Sequence, residues 1–320
     1  MKRLLSIVVS LVVLGVIYWK IDLPQLIQVF QNCDRPWLVI SLGMVIPITL
    51  ITAWRLQQLM PAAEPEQGIA LHFGEANRLI LAASVLNMVL PSKMGDIAKA
   101  YFMRQRGHLS GSLALSLVVF EKACDMLSLL LWCVFGLVLY PEKNWLFGVM
   151  TISVLTGLTL GILLLSSRRV AQLFFHWGRR VAPKSMQPKL NKLSYAWDEM
   201  HTYFWRDPGQ LLKVTSTSVW LWFLHLLQIW FFILALNAQT PFLTSLALSP
   251  LAILAGLLPL TFAGVGTRDA ALILFYQPYF AAPTAAALGL LCTSRYLLPA
   301  IGGLPFLGQY LATVRNIQPE

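Results

Sequence analysis

Residues 111–140 read GSLALSLVVFEKACDMLSLLLWCVFGLVLY, a run whose charges are confined to Glu121, Lys122 and Asp125. It exceeds the ~20 residues that a helix needs to cross a bilayer. At 1.5 Å per residue, Glu121 sits roughly 15 Å from Gly111, near the middle of a ~30 Å hydrocarbon core. An ionised side chain there costs at least ~2.5 kcal/mol, so these groups face protein or water and are candidates for function. Glu121, Asp125 and Ser128 fall at i, i+4 and i+7 and share one helix face. Lys122 reaches Asp125 at i+3. Glu121 needs a partner on another helix, with Arg78, Arg268 and Arg295 as the candidates. A purely structural ion network is the competing reading of these charges.

The rest of the chain agrees with lipid as solvent. Of 320 residues, 57% are hydrophobic and 12% charged, with a mean hydropathy of +0.67. A soluble domain carries roughly twice that charged fraction, about 25%. The expected fold is an all-α integral membrane protein, a polytopic helical bundle forming one transmembrane domain over 1–320. About six full spans are expected, near 4–19, 37–54, 111–140, 145–166, 214–236 and 284–312. Met1-Lys2-Arg3 and the apolar run to Trp19 lack a small-residue cleavage site, so this segment is expected to stay as the first helix. With the N-terminus inside, segments 1–3, 55–68, 91–110, 167–213 and the C-terminal tail are cytoplasmic. They hold 17 of the 24 lysines and arginines, against three (Lys20, Arg35, Lys143) outside. That asymmetry places both termini in the cytoplasm. It also accounts for the net charge of +10 without nucleic acid.

Segment 167–213 alone carries nine of those cations. Val170, Leu173, Phe174, Trp177 and Val181 share one helical face, and Leu190, Leu193, Trp197, Met200 and Phe204 repeat the pattern. Such helices either lie in the interface against anionic headgroups or cap the bundle on its cytoplasmic side. Cys33, Cys124, Cys133 and Cys292 have no metal-binding spacing, and the five histidines make no HExxH or similar motif. There is no P-loop and no nucleotide fingerprint. The chain is therefore expected to be no enzyme and to need no cofactor or metal.

Two further apolar stretches are interrupted. Residues 69–90 contain His72, Glu75, Asn77, Arg78 and Asn87 and run into Leu90-Pro91-Ser92-Lys93-Met94-Gly95-Asp96-Ile97-Ala98-Lys99. Residues 242–280 contain Leu258-Pro259 and then Ala263-Gly264-Val265-Gly266-Thr267-Arg268-Asp269. Breaks at membrane depth are tolerated only inside protein or beside water, so both are expected to be re-entrant or broken helices. Each has Leu-Pro, a glycine break, and an acid and a base close by. Each leads to a helix with charge at depth: Glu121, Lys122 and Asp125 after the first, Arg295 after the second. An inverted repeat produces this arrangement, with halves near 69–140 and 242–312, and transporters often place their site where broken helices meet. Gly95, Gly264 and Gly266 allow close backbone approach or positive φ. A restarting helix offers free N–H groups to an anion, and Lys93, Lys99 and Arg268 would add full charge there. Asp96 and Asp269 either orient these cations, carry protons, or simply neutralise a neighbouring base.

At these residues the chain resembles the transmembrane family named for the lysylphosphatidylglycerol synthase/flippase. That family's first signature runs Leu-Pro-x-x-x-Gly-Glu-x-x-Arg and then Glu-Arg-x-x-Asp. Here it stands as Leu90-Pro91 through Gly95-Asp96 to Lys99, then Glu121-Lys122-Ala123-Cys124-Asp125. The second, Pro then Gly-Gly-x-Gly-x-Arg-Glu, stands as Pro259 and Ala263-Gly264-Val265-Gly266-Thr267-Arg268-Asp269. The departures are Asp for Glu at 96 and 269, Lys for Arg at 99 and 122, and Ala for Gly at 263; lysine lacks arginine's two-pronged donor. The fused synthases carry a soluble aminoacyl-transfer domain, and with this chain ending at Glu320 lipid aminoacylation is not expected.

The resemblance implies a flippase-like role toward a lipid or lipid-linked anion in the bacterial inner membrane. Lys93, Gly95, Asp96, Lys99, Glu121, Lys122, Asp125, Gly264, Gly266, Arg268, Asp269 and Arg295 are the candidate substrate-binding residues. The expected partner is a membrane lipid with an anionic headgroup. The alternatives are a membrane scaffold for a separate synthase and, less favoured, an intramembrane lipid transferase.

Overall fold

The computed structural model describes residue 15 and residues 23–60, 71–89, 94–107, 111–140, 144–257 and 266–315. The regular elements among them are helical, with no strand. In chain order they are α1 (Leu23–Gln31), α2 (Arg35–Gly43), α3 (Val45–Leu59), α4 (Phe73–Val89), α5 (Met94–Gly107), α6 (Gly111–Leu139) and α7 (Trp145–Ser166). There follow α8 (Arg168–Val181), a short 3-10 turn, α9 (Gln187–Arg206), α10 (Pro208–Ala235), α11 (Phe242–Gly256), α12 (Thr267–Tyr276) and α13 (Ala282–Arg315).

Five stretches among the described residues are long and apolar enough to span a bilayer: Arg35–Leu59, Gly111–Leu139, Trp145–Ser166, Pro208–Ala235 and Ala282–Gln309. They match five of the expected spans. The expected span at 4–19, save residue 15, lies outside the described residues, as do Pro91 and the Ala263-Gly264-Val265 break. Both interrupted stretches prove to be helix pairs, α4 with α5 and α11 with α12, and the two members of each pair pack together.

The chain divides into two compact units. The first comprises Met1–Pro47, Leu129–Leu155 and Trp222–Tyr296; the second comprises Ile48–Ser128, Thr156–Leu221 and Leu297–Glu320.

In the first unit, α2 begins at an Asp34 cap, whose carboxylate accepts from the Trp37 amide at 3.1 Å, with Pro36 pre-set in the first turn. Asn237, at φ 53°, closes α10 and donates to the Asn32 carbonyl at 2.6 Å. The C-terminal part of α6 approaches α11 so closely that a Cβ on Gly136 would stand 2.2 Å from the Ala247 carbonyl oxygen. Between α11 and α12, the fully buried Tyr276 hydroxyl meets Ser249 Oγ at 2.8 Å and lies 3.3 Å from the Ser245 carbonyl. A buried phenol needs such partners, and here they lock the second broken pair.

In the second unit the core gathers Leu56, Leu79, Met103, Leu117, Phe120 and Phe204, with the last two rings stacked at 3.8 Å. Two close contacts set helix positions. A Cβ on Gly95 would lie 2.2 Å from the Ala83 carbonyl oxygen, and one on Gly303 of α13 would lie 2.1 Å from that of Leu81. Both glycines therefore permit backbone-to-backbone contact with α4 that no other residue allows.

The two helices of segment 167–213, α8 and α9, behave differently from each other. Trp197, Met200 and Phe204 of α9 point into the core, as a capping helix requires. On α8 the inward residues are Ala171 and Phe175, which the sequence pattern had not singled out. Leu173, Trp177 and Val181 of the recognised stripe point outward, 65–74% exposed.

Candidate functional site

Among the described residues, each unit holds a cluster of buried charge. In the second unit, the cluster joins α3, α5 and α6. Arg55, Lys99 and Glu121 are each only 2% exposed. Glu121 accepts from Arg55 Nη2 at 2.9 Å through Oε1 and from Lys99 Nζ through Oε2. Arg55 Nη1 also bonds Asp125 Oδ1, and it reaches Ser218 Oγ of α10 at 2.9 Å. The Ser218 hydroxyl in turn donates to the Val214 carbonyl at 2.9 Å. A half-exposed Lys122 pairs with Asp96 at 3.4 Å, tying α6 to the first turn of α5. Three cations thus face three carboxylates, which is how charge survives desolvation. One donor is left over: Arg55 Nε is buried with no partner among the described residues.

The partners of Glu121 are therefore Arg55 and Lys99, rather than Arg78, Arg268 or Arg295. Arg78 lies over the Phe306 ring at 5.9 Å instead. Asp125 pairs with Arg55, and Lys122 looks across to Asp96 rather than along its own helix. Arg55 is the functional candidate that sequence reasoning missed. It was assigned to a cytoplasmic loop because the apolar run ends there. The signal was its continuation: Leu56 and Leu59 extend the helix past the charge, and both are fully buried.

In the first unit, the cluster joins α12 and α13. Gly266, at φ 103°, starts α12 in a conformation that suits glycine. Its N–H donates to Asp269 Oδ2 at 2.9 Å. Arg268 donates to Asp269 Oδ1 through Nε at 3.1 Å and Nη2 at 2.8 Å. Nη2 also reaches the Gly289 carbonyl at 2.9 Å and Thr293 Oγ1 at 2.8 Å on α13. Gly289 matters sterically, since a Cβ there would stand 2.6 Å from Asp269 Oδ1. Arg295, two residues beyond Thr293, contacts His225 Nδ1 through Nη2, and its Nε is buried without a partner among the described residues.

At each restart the leading glycine amide is already taken by a side chain. At the first break the Gly95 amide donates to Asn87 Oδ1 at 3.0 Å; at the second, Asp269 caps Gly266. The arginine donors without a partner among the described residues, Arg55 Nε and Arg295 Nε, are both buried. Lys93 and Gly264 lie outside the described residues. Of the remaining expected residues, Gly95, Asp96, Lys99, Glu121, Lys122 and Asp125 gather in one cluster, and Gly266, Arg268 and Asp269 in the other.

A family model described as the lysylphosphatidylglycerol synthase TM region matches residues 3–303. A UPF0104 membrane protein of Methanocaldococcus jannaschii is 21% identical over 324 residues, which cover 94% of this chain and 93% of that one. The family match runs through both broken helix pairs and both charge clusters, so this multi-pass membrane protein belongs to the family of the lysylphosphatidylglycerol synthase transmembrane region.

Proposed function

We propose that the chain moves an anionic lipid, or a lipid-linked anion, between the leaflets of the bacterial inner membrane. Family membership supports a role connected with membrane lipid. The observation that carries the finer reading is the Arg55–Lys99–Glu121–Asp125 network, desolvated and linked across helices, with one arginine donor unused.

A neutral network of this kind suits an exchange of acceptors. A phosphate oxygen takes the bonds that Glu121 and Asp125 hold at rest, since arginine binds carboxylate and phosphate in the same forked geometry. Net charge then rises by one negative unit, and a proton taken up on Glu121 or Asp125 restores balance. That couples lipid movement to protons and gives the carboxylates a role beyond orientation. The two helix pairs would act as re-entrant hairpins of an inverted repeat, with both termini cytoplasmic. No covalent step is assigned to the chain. The neutrality of both clusters favours one alternative, a scaffold whose charges only hold helices together beside a partner synthase.

Leaflet exchange in vesicles separates the two. The protein is reconstituted into phosphatidylcholine vesicles carrying a trace of fluorescent phosphatidylglycerol, and the accessible fraction is followed with a membrane-impermeant quencher. Transport predicts faster exchange of phosphatidylglycerol than of fluorescent phosphatidylcholine, with a pH dependence that Glu121→Gln shifts. Exchange no faster than in protein-free vesicles supports the scaffold.

A further inference from the structure

A second feature lies at the joint between the spans and the basic loop, away from the buried charges. The span α7 ends at Ser166, and α8 starts at Arg168 after one extended residue, Ser167, whose hydroxyl accepts from the Val170 amide at 3.4 Å. Likewise α9 ends at Arg206, and the span α10 starts at Pro208 after the single residue Asp207. Both ends of the loop are thus pinned within one residue of a membrane span.

The joint is latched by side chains. Arg168 donates to His201 Nδ1 at 3.0 Å and to Thr202 Oγ1 at 2.8 Å. With Nδ1 accepting, the ring proton sits on Nε2, 3.3 Å from the Ser166 carbonyl. Trp205 Nε1 donates to the Leu165 carbonyl at 3.2 Å. The last carbonyls of α7, which have no helical partner, are satisfied by α9.

Beneath the latch is a cavity of about 390 Å³ lined by Phe120, Leu165, Phe204, Trp205, Leu211 and Leu212, among others, and almost wholly apolar. That is the size and character of a small-molecule site with few polar groups. Its rim residues Ile162 and Leu212 are 50% and 66% exposed, on spans whose outer faces meet lipid. Around the joint Arg168, Arg169, Arg206 and Lys213 are exposed. The acids nearby are Asp207, which caps α10 by accepting from the Gln210 amide at 3.1 Å, and the half-buried Asp198 and Glu199 on α9. The outward stripe Leu173, Trp177 and Val181 of α8, beside Arg169, Arg179 and Arg180, has the make-up of a helix that lies at headgroup level.

We infer that the cavity holds one acyl chain of an anionic phospholipid whose phosphate lies among the exposed arginines of the α7–α8 joint. The site is separate from the buried clusters and independent of transport. The lipid fastens the basic loop to the membrane plane and fills the apolar cavity.

Photolabelling tests it. The full chain is placed in nanodiscs of phosphatidylcholine containing phosphatidylglycerol with a diazirine on one acyl chain, irradiated, and mapped by peptide mass spectrometry. Label is expected to concentrate on the peptides of Leu165, Phe204 and Leu211 and to be competed by unlabelled phosphatidylglycerol. Leu211→Trp, and at the exposed rim Leu212→Trp, should lower it about tenfold, equivalent to losing two buried methylenes. The Arg55→Gln/Glu121→Gln variant should label like the wild type, so failure of the transport reading leaves this result intact. Label spread evenly along the lipid-facing side of α7, or label at the joint that both tryptophan variants leave unchanged, overturns the site. Equal competition by phosphatidylcholine overturns its anionic specificity.

Discussion

The two broken helix pairs, each with the long helix that follows it, solve one problem in two ways. In both, a cation on the second short helix reaches the next long helix: Lys99 to Glu121, and Arg268 to Thr293. In the first, the neutralising carboxylate sits on the long helix, so the charge balance is spread over α3, α5 and α6. In the second, Asp269 sits beside Arg268, and α13 supplies only a carbonyl and a hydroxyl. A charge balanced across helices is broken when those helices part; one balanced within a single turn travels with it. Under the proposed transport reading, the first cluster is where helix movement, anion binding and proton uptake would be linked, and the second would move as a self-contained turn.

Removing acids tests that contrast most strongly. Glu121→Ala leaves Arg55 and Lys99 buried with Asp125 as the remaining carboxylate, and broken buried pairs cost roughly 3–5 kcal/mol. Asp269→Ala leaves Arg268 two neutral acceptors, so the loss should be nearer the cost of an unmade hydrogen bond to charge, about 1–3 kcal/mol. Thermal unfolding in detergent should rank Glu121→Ala well below Asp269→Ala; the reverse order would break the comparison.

Arg268→Lys sharpens it. Lysine keeps the charge but not the fork that reaches Asp269, Gly289 and Thr293 together. The expected outcome is a protein that inserts normally, is destabilised by about 1–2 kcal/mol, and loses much of its lipid exchange. Wild-type exchange in Arg268→Lys would reduce the second cluster to a structural turn.

The smallest effect belongs to His201, which lies in neither cluster. Burial is the largest influence and lowers its affinity for a proton below the ordinary value of 6.5; the Ser166 carbonyl opposes this, Arg168 adds to it, and Asp198 opposes it more weakly. The folded state favours the neutral ring, so its contribution is complete above pH 6.5 and fades as pH falls through the lowered value. The gap in melting temperature between wild type and His201→Ala should narrow on acidification. A constant gap would mean that protonation does not break the Arg168 latch.

Much of this was legible in the sequence, for identifiable reasons. Hydropathy marks a span because lipid demands ~20 apolar residues in succession, and proline and glycine mark the two breaks because they interrupt helical hydrogen bonding. The charges of 121–125 stood out for their cost at depth. What sequence could not supply was pairing. Arg55 looked like a loop charge because hydropathy is blind to a helix that continues around a buried ion. Asp96 and Lys122 are 26 residues apart and meet only because α5 folds back on α6. The stripe on α8 was visible, but only tertiary contacts reveal that Phe175 faces inward and Trp177 outward.

The most direct measurement of the central claim is native mass spectrometry of the gently purified protein, comparing wild type with Arg55→Gln/Glu121→Gln. That pair of changes removes one charge of each sign, so the cluster stays neutral and loss of fold is not the expected result. The account predicts an anionic lipid bound to the wild type beyond the joint-bound one, and its loss in the double variant with the fold intact. The same complement of anionic lipid on both proteins would contradict it and leave the buried network a structural clasp.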